Sequence, residues 1–220
     1  MKALGIYFDD IHSFYDLDLF LAKDGVFIPP AQPKTNYVEL AGGDGSLDLT
    51  EAHGEVKYHD RTGCKFTFTV NPNSDMTFDE KKTQVSNALN GKRCKIILDK
   101  DEDYYYLGRC TVNEYLSDRR ILQIVVTATV SPYKYKKIET VMKFTLSSTS
   151  KTVNIRNGRK SVIPVITCSN SNTTVTSGSY STTLNAGTHE IVDFQLKHGN
   201  NHFVVSGSGT IEFKFREGDL

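Results

Sequence analysis

LQIVVTATV, residues 122–130, places Leu122, Ile124, Val126, Ala128 and Val130 on one face of an extended chain. A period of two marks an antiparallel strand with one face on a core. KFTFTV (65–70) repeats the pattern with Phe66, Phe68 and Val70, and IEFKFRE (211–217) repeats it with Ile211, Phe213 and Phe215. Working outward from the first stretch, KIILD (95–99) is followed by a loop, then YYYLGRCTVNEY (104–115), then a turn at SDRR (117–120), then 121–130. That order predicts an antiparallel meander.

One segment departs from this period. Thr77 with Glu80 three residues on forms a capping box, and Gly91 is a natural stop. Between them Phe78, Val85, Ala88 and Leu89 share one helical stripe, which predicts a single helix over about 78–90 packed across a sheet. Nearer the N-terminus the pattern is irregular. PPAQP (29–33) reads as a connection, and Asp9–Leu40 reads as an arm without regular structure.

SPYKYKK (131–137) closes the meander with a proline and a basic, aromatic cluster. From about residue 140 the composition turns to Ser, Thr, Asn and Gly, with short strands and turns every ~8–12 residues, which suggests a second, smaller sandwich. In CSNSNTTVTSGSYSTTL (168–184), Val175, Tyr180 and Leu184 punctuate the polar run, so it too reads as strands. The expected architecture is mainly β. Residues 1–137 form a β-sandwich or barrel-like domain with one helix, and residues 138–220 form a small β-sandwich.

At 220 residues the chain buries roughly 70% of its unfolded surface on folding and needs no covalent staples. Lys plus Arg and Asp plus Glu both number 26, giving a net charge of zero. A nucleic-acid binder carries a basic excess that releases counterions from phosphates; this composition argues against that class. Zero net charge also removes long-range self-repulsion and favours assembly. Cys64, Cys94, Cys110 and Cys168 form no CxxC and have no His at zinc-ligand spacing, so four free thiols are expected. MKALGIYFDD brings acids too early for a signal peptide, and no apolar run reaches the ~20 residues of a membrane span. The expected setting is a reducing cytosol.

The stretch that most resembles a reactive site is DKDEDYYYLGR, residues 99–109. Asp99, Asp101 and Asp103 alternate like the start of a calcium loop. Such a loop requires Gly at its sixth position and Glu at its twelfth, and this chain supplies Tyr104 and Cys110. Alternate residues of a strand lie about 7 Å apart, where two charges in water repel by only about 0.6 kcal/mol. A solvated hairpin tip tolerates that. A catalytic carboxylate pair needs one desolvated member, and a polar tip is not expected to provide one.

No other stretch supplies catalytic machinery. His12, His53, His59, His189, His198 and His202 fall in no metal or nucleophile motif and read as turn or surface residues. GGDGS (42–46) opens no helix and lacks a phosphate-loop Lys, so it reads as a flexible turn. Asn172 starts a glycosylation match that carries no weight without a secretory route. No catalytic residue, metal ligand or cofactor is expected.

The tyrosines are the more unusual feature. Tyr104 and Tyr106 face one side of a strand while Tyr105 and Leu107 face the other. Large amphipathic rings on both faces imply packing within the domain or against another protein. Gly108 suggests a close backbone approach, and Arg109 adds a planar charge. Tyr104, Tyr105 and Arg109 are the candidates for subunit contact.

A family resemblance then becomes visible. GGDGSLDLTEAHGEVKYHDR, the helix ending NALNGKRCKIIL, DEDYYYLGR and SPYKY, in that order, resemble the distal tail proteins of siphophages and related prophages. VNIRNGRKSVIPVIT and LKHGNNHFVVSGSGTIEFKFREGDL resemble that family's second domain, so the resemblance spans nearly the whole chain. It implies a β-rich N-terminal domain with one helix and a C-terminal galectin-like sandwich. The implied role is structural: N-terminal domains assembled into a hexameric ring at the virion tail tip, made in the bacterial cytoplasm. The implied partners are further copies of the chain, the tail tube protein, a tail-tip protein and a receptor-binding protein. Longer members insert an arm or carbohydrate-binding module, for which this chain has no room. A glycan-binding β-sandwich used in host adhesion is the alternative reading.

The failed calcium template gives a direct test. Adding calcium or a chelator should leave the melting temperature unchanged. A rise of several degrees with calcium, abolished by Asp101→Asn, would overturn this reading.

Overall fold

Strands form where the alternation is strictest. The computed structural model describes residues 4–52, 54–118 and 121–220, the side chains of 114–118 and 121 excepted. The chain is mainly β, with one α-helix among the described residues. It divides into two compact units: one reaches Lys134 and takes in Leu220, and the other is Tyr135–Asp219.

The first unit contains β1 (Ile6–Phe8), β2 (Ile11–His12), β3 (Leu19–Phe27), β4 (Tyr37–Glu39), β5 (Ser46–Asp48), β6 (Arg61–Val70), α1 (Phe78–Leu89), β7 (Arg93–Leu98), β8 (Tyr104–Asp118) and most of β9 (Ile121–Lys136). One sheet runs in the order β2-β1-β7-β8-β9-β6-β3. Its inner face presents Cys94 and Ile96 from β7, Cys110 from β8, Ile124, Val126, Ala128 and Val130 from β9, and Phe66 and Phe68 from β6. Helix α1 lays Val85 and Leu89 on this core. Its capping box is complete: Thr77 Oγ1 accepts the Glu80 amide at 3.3 Å, and Glu80 accepts the Thr77 amide at 2.8 Å. Caps of this kind stabilise a helix by about 1 kcal/mol.

Two sequence expectations need correction. The stretch from Asp9 is not irregular throughout: it forms β2 and β3, joined by a turn over 13–18, before the segment after Phe27 leaves the sheet. A register shift between Leu21 and Val26 in the β3–β6 pairing breaks the alternation there, which hid the strand from a period-two reading. Strand β9 also does not stop at Val130 but runs through Pro132 to Lys136. The turn expected at 117–120 includes Arg119 and Arg120, which lie outside the described residues.

The second unit contains β10 (Thr140–Ser147), β11 (Lys151–Asn157), β12 (Val165–Cys168), β13 (Thr173–Ser177), β14 (Tyr180–Leu184), β15 (Gly187–Glu190), β16 (Gly199–Ser206), β17 (Ser208–Phe215) and β18 (Gly218–Asp219). Two four-stranded sheets, β10-β17-β12-β15 and β11-β16-β13-β14, make a sandwich. Phe203 lies between Phe194 and Phe213, with ring centroids at 5.8 and 5.3 Å, and all three rings are buried. The Ser/Thr-rich run is the β13–β14 hairpin. Val175 and Leu184 point inward, while hydroxyls pair across the outer face at Thr174–Thr183 (3.0 Å) and Thr176–Ser181 (2.7 Å).

The closing FREGDL stretch clasps the start of this unit. Arg216 Nη1 donates to the carbonyls of Lys136 (2.6 Å) and Lys137 (2.7 Å). The Glu217 carboxylate accepts from Lys136 Nζ (2.6 Å) and Thr140 Oγ1 (2.5 Å). Burial would push Glu217 up, but those two hydrogen bonds and the nearby Lys136 and Arg156 cations outweigh it and hold the carboxyl below its usual range. The unfolded chain therefore takes up the Glu217 proton more readily than the folded one. The stabilisation is complete at neutral pH and is lost as pH falls through the ordinary glutamate value of about 4.3 and below. Urea unfolding of wild type and Glu217→Gln at stepped pH should show stabilities that converge between about pH 6 and about pH 3. A gap that stays constant with pH would refute this role.

Candidate functional site

The acidic tip does not act as one site, because its carboxylates are separated by their environments. Asp101, near the turn, pairs with Lys134 of β9 at 2.7 Å. Lys134 also lies over the Tyr104 ring, 4.3 Å from its centroid. Burial works against the Lys134 charge, yet the hydrogen bond and charge of Asp101 raise its pKa above the usual lysine value. Glu102 and Asp103 are exposed.

Asp99 behaves differently. Its side chain is 1% exposed, and its Oδ2 lies 3.2 Å from Nε2 of His12, which is equally buried. The same oxygen accepts the Gly5 amide at 2.9 Å. His12 Nδ1 accepts the amides of Phe14 (3.2 Å) and Tyr15 (3.1 Å), so the ring proton sits on Nε2 and is donated to Asp99. Tyr7 and Tyr15 pack on the imidazole at 4.4 and 4.6 Å. A Cβ on Gly5 would lie 2.5 Å from His12 Cε1, so only glycine fits there.

These contacts overturn two expectations. His12 is not a surface residue, and the tip does contain a desolvated carboxylate. A His–Asp pair is half of a nucleophile-activating relay, but the adjacent Ser13 spends its hydroxyl accepting the Ile6 amide at 3.1 Å and is itself fully buried. The pair works as a latch. It fixes the β1–β2 hairpin to the end of β7, and no local motif could have revealed it, since the partners are 87 residues apart.

The other described histidines are turn or surface groups. His189 reaches the Asn185 carbonyl at 2.9 Å, and His202 pairs with Asn154 at 2.5 Å. His53 lies outside the described residues. Among the described residues, no three His, Cys, Asp or Glu side chains gather in a geometry that could hold a metal ion.

The tyrosine strand has the two-sided character its sequence predicts. Tyr106 turns inward, with the buried Arg61 guanidinium 5.6 Å from its ring centroid. Tyr105 turns outward yet is only 8% exposed, with Lys95 Nζ 5.4 Å from its ring. Tyr104 is half-buried beneath Lys134. Gly108 is the close approach its position suggested: a Cβ there would lie 2.5 Å from the Thr129 carbonyl.

Arg109 is exposed and stands directly opposite Arg93 in the β7–β8 register. The two arginines, with Leu107, Thr111, Thr129, Ser131 and Asp60, line a cavity of about 410 Å³ on the outer face of the sheet. Sequence reasoning singled out Arg109 but missed Arg93, because only strand register brings them together.

The four thiols are free and buried. Cys94 and Cys110 lie 3.4 Å apart. The hydrogen bond between them holds Cys94 down and pushes Cys110 up, with burial adding to the upward shift. Burial pushes Cys64 up to about 11. None presents an accessible thiolate.

Truncating the latch gives the test of its role. Asp99→Ala leaves the Gly5 and His12 donors unpaired in the interior, which should cost about 2–4 kcal/mol in urea unfolding. A loss within about 0.5 kcal/mol would show that the latch is dispensable.

No protein-family model matches the sequence, and no curated protein sequence matches it. Among solved structures, the chain is similar to the crystal structure of SPP1 Dit (gp 19.1), described as a paradigm of hub adsorption apparatus in Gram-positive-infecting phages. The TM-score is 0.66 at 14% identity, over 98% of this chain and 99% of that one. The shared fold is that of a phage hub protein.

Proposed function

We propose that this chain is a structural, non-enzymatic distal tail protein of a siphophage or related prophage. The observation that carries the reading is the end-to-end match to a hub protein's fold, covering both units in their order along nearly the full length of each chain. The motif succession from GGDGS through DEDYYYLGR and SPYKY to FREGDL supports it from the sequence side. Among the described residues, the buried His12–Asp99 latch and the buried thiols supply stability rather than an accessible reactive group.

In this reading, copies of the chain form a ring through residues 1–137, expected to be a hexamer. The ring joins the tail tube to the tail-tip and host-recognition proteins. Residues 138–220 form the second domain and stand outside the ring contact. A closed ring requires a heterologous contact whose rotation returns to its start, and the sheet and the separate hairpin of the first unit are two dissimilar surfaces that could form it.

Negative-stain electron microscopy and light scattering of the purified full chain test this, alone and with a tail-tube protein. The expected particle is a ring of several times the 24.6 kDa chain mass. Residues 1–137 should form it under the same conditions, while residues 140–220 stay monomeric. An oligomeric C-terminal fragment beside a monomeric N-terminal one would reverse the assignment.

A further inference from the structure

Between β3 and β6 the chain leaves the sheet and builds a separate hairpin. β4 and β5 pair through Tyr37↔Asp48, Val38↔Leu47 and Glu39↔Ser46. Every residue from Gln32 to Asp48 is exposed. The exposure includes Tyr37 at 58%, Val38 at 44%, Leu40 at 50% and Leu47 at 48%. An isolated two-stranded hairpin is at best marginally stable in water and needs a third strand or a packing surface. Val38 and Leu47 sit directly opposite each other on one face of the hairpin, and both stay exposed among the described residues. The opposite face and the turn are acidic: residues 34–51 carry Glu39, Asp44, Asp48 and Glu51 against the single cation Lys34.

The outer face of the sheet in the same unit has the reverse character. Arg93 and Arg109 face each other, and Lys95 lies two residues along β7 from Arg93. Like charges directly opposite in a sheet repel. Neither arginine has a carboxylate partner among the described residues; Arg109 donates instead to the Gly91 carbonyl. Between them lies the cavity of about 410 Å³, lined also by Leu107, by the hydroxyls of Thr111, Thr129 and Ser131, and by one carboxylate, Asp60, so that the arginines keep the lining net positive. This groove offers two planar cations, hydroxyls and an apolar patch. An acidic hairpin with an apolar face carries the complementary set.

We infer that the 34–51 hairpin of one copy docks on the Arg93–Arg109 face of a second copy, with its carboxylates meeting the two guanidiniums and Val38 and Leu47 covered against the sheet. The inference rests on the ring reading above and names the contact that closes it. The two surfaces are different parts of one chain, so the contact is head-to-tail, and it neutralises on assembly the charge that each surface carries alone. The chain's zero net charge leaves the association governed by this local complementarity rather than by a global field.

Charge reversal on separate chains tests it. One full-length variant carries Glu39→Arg with Asp44→Arg in the hairpin. The other carries Arg93→Glu with Arg109→Glu on the sheet face. All four positions are exposed, and thermal melts check that both variants fold. By sedimentation velocity at low salt, each variant alone should need at least about tenfold more protein than wild type to associate. An equimolar mixture should recover wild-type association, because the basic hairpin of one variant then meets the acidic face of the other. As a second measurement, a photo-crosslinker at Val38 of wild type should join to peptides 91–98 or 107–113 of another copy. Variants that assemble as wild type does, or a mixture that fails to recover, overturn the docking inference and leave the ring standing. Mixing rescue in assemblies that are not rings supports the docking and overturns the ring reading. A wild type that stays monomeric at every concentration, with crosslinks only within one chain, overturns the docking, and the ring is then judged with tail partners present.

Discussion

One carboxylate oxygen organises the N-terminal sheet. Asp99 Oδ2 takes the Gly5 amide and the His12 imidazole proton at a site closed to solvent. That contact holds the β1–β2 hairpin against the end of β7. β1 pairs with β7 through Ile6↔Leu98 and Phe8↔Ile96, which carries Ile6 and Phe8 into the core, where Phe8 meets Phe66 and Phe68 edge-on. A buried acid is costly unless its oxygens are hydrogen-bonded. Here both bonds come from the N-terminal hairpin, so the cost of burial becomes a requirement that the N-terminus be in place. Asp99 Oδ1 is left without a partner, which makes the site intolerant of further loss.

The same unit leaves other groups unsatisfied on its outside. The hairpin between β3 and β6 is formed yet uncovered, and two arginines oppose each other across β7 and β8 without a counterion among the described residues. Ordering a backbone costs about 1–2 kcal/mol per residue, and exposed apolar side chains on an isolated hairpin return little of that. In the assembly proposed above, burial against a second copy would offset that cost. The second unit, whose apolar rings are enclosed between its two sheets, has a core of its own and a clasp at its start.

Much of this was determined by the sequence itself. Local signals report local physics: period two marked strands in both units, and the Thr77–Glu80 box with Gly91 placed the helix to within a residue. The failure of the calcium template at Tyr104 and Cys110 and the two-sided tyrosine strand are likewise short-range patterns. The tertiary structure alone decided what depends on partners far apart in the chain. It took His12 from an apparent turn residue to a buried latch, separated Asp99 from Asp101 by environment, hid β3 behind a register shift, and set Arg93 against Arg109. Side-chain period is written in neighbouring residues, but desolvation and register arise only when strands from distant parts of the chain lie side by side, and these two effects decide which charges are structural and which remain for a partner.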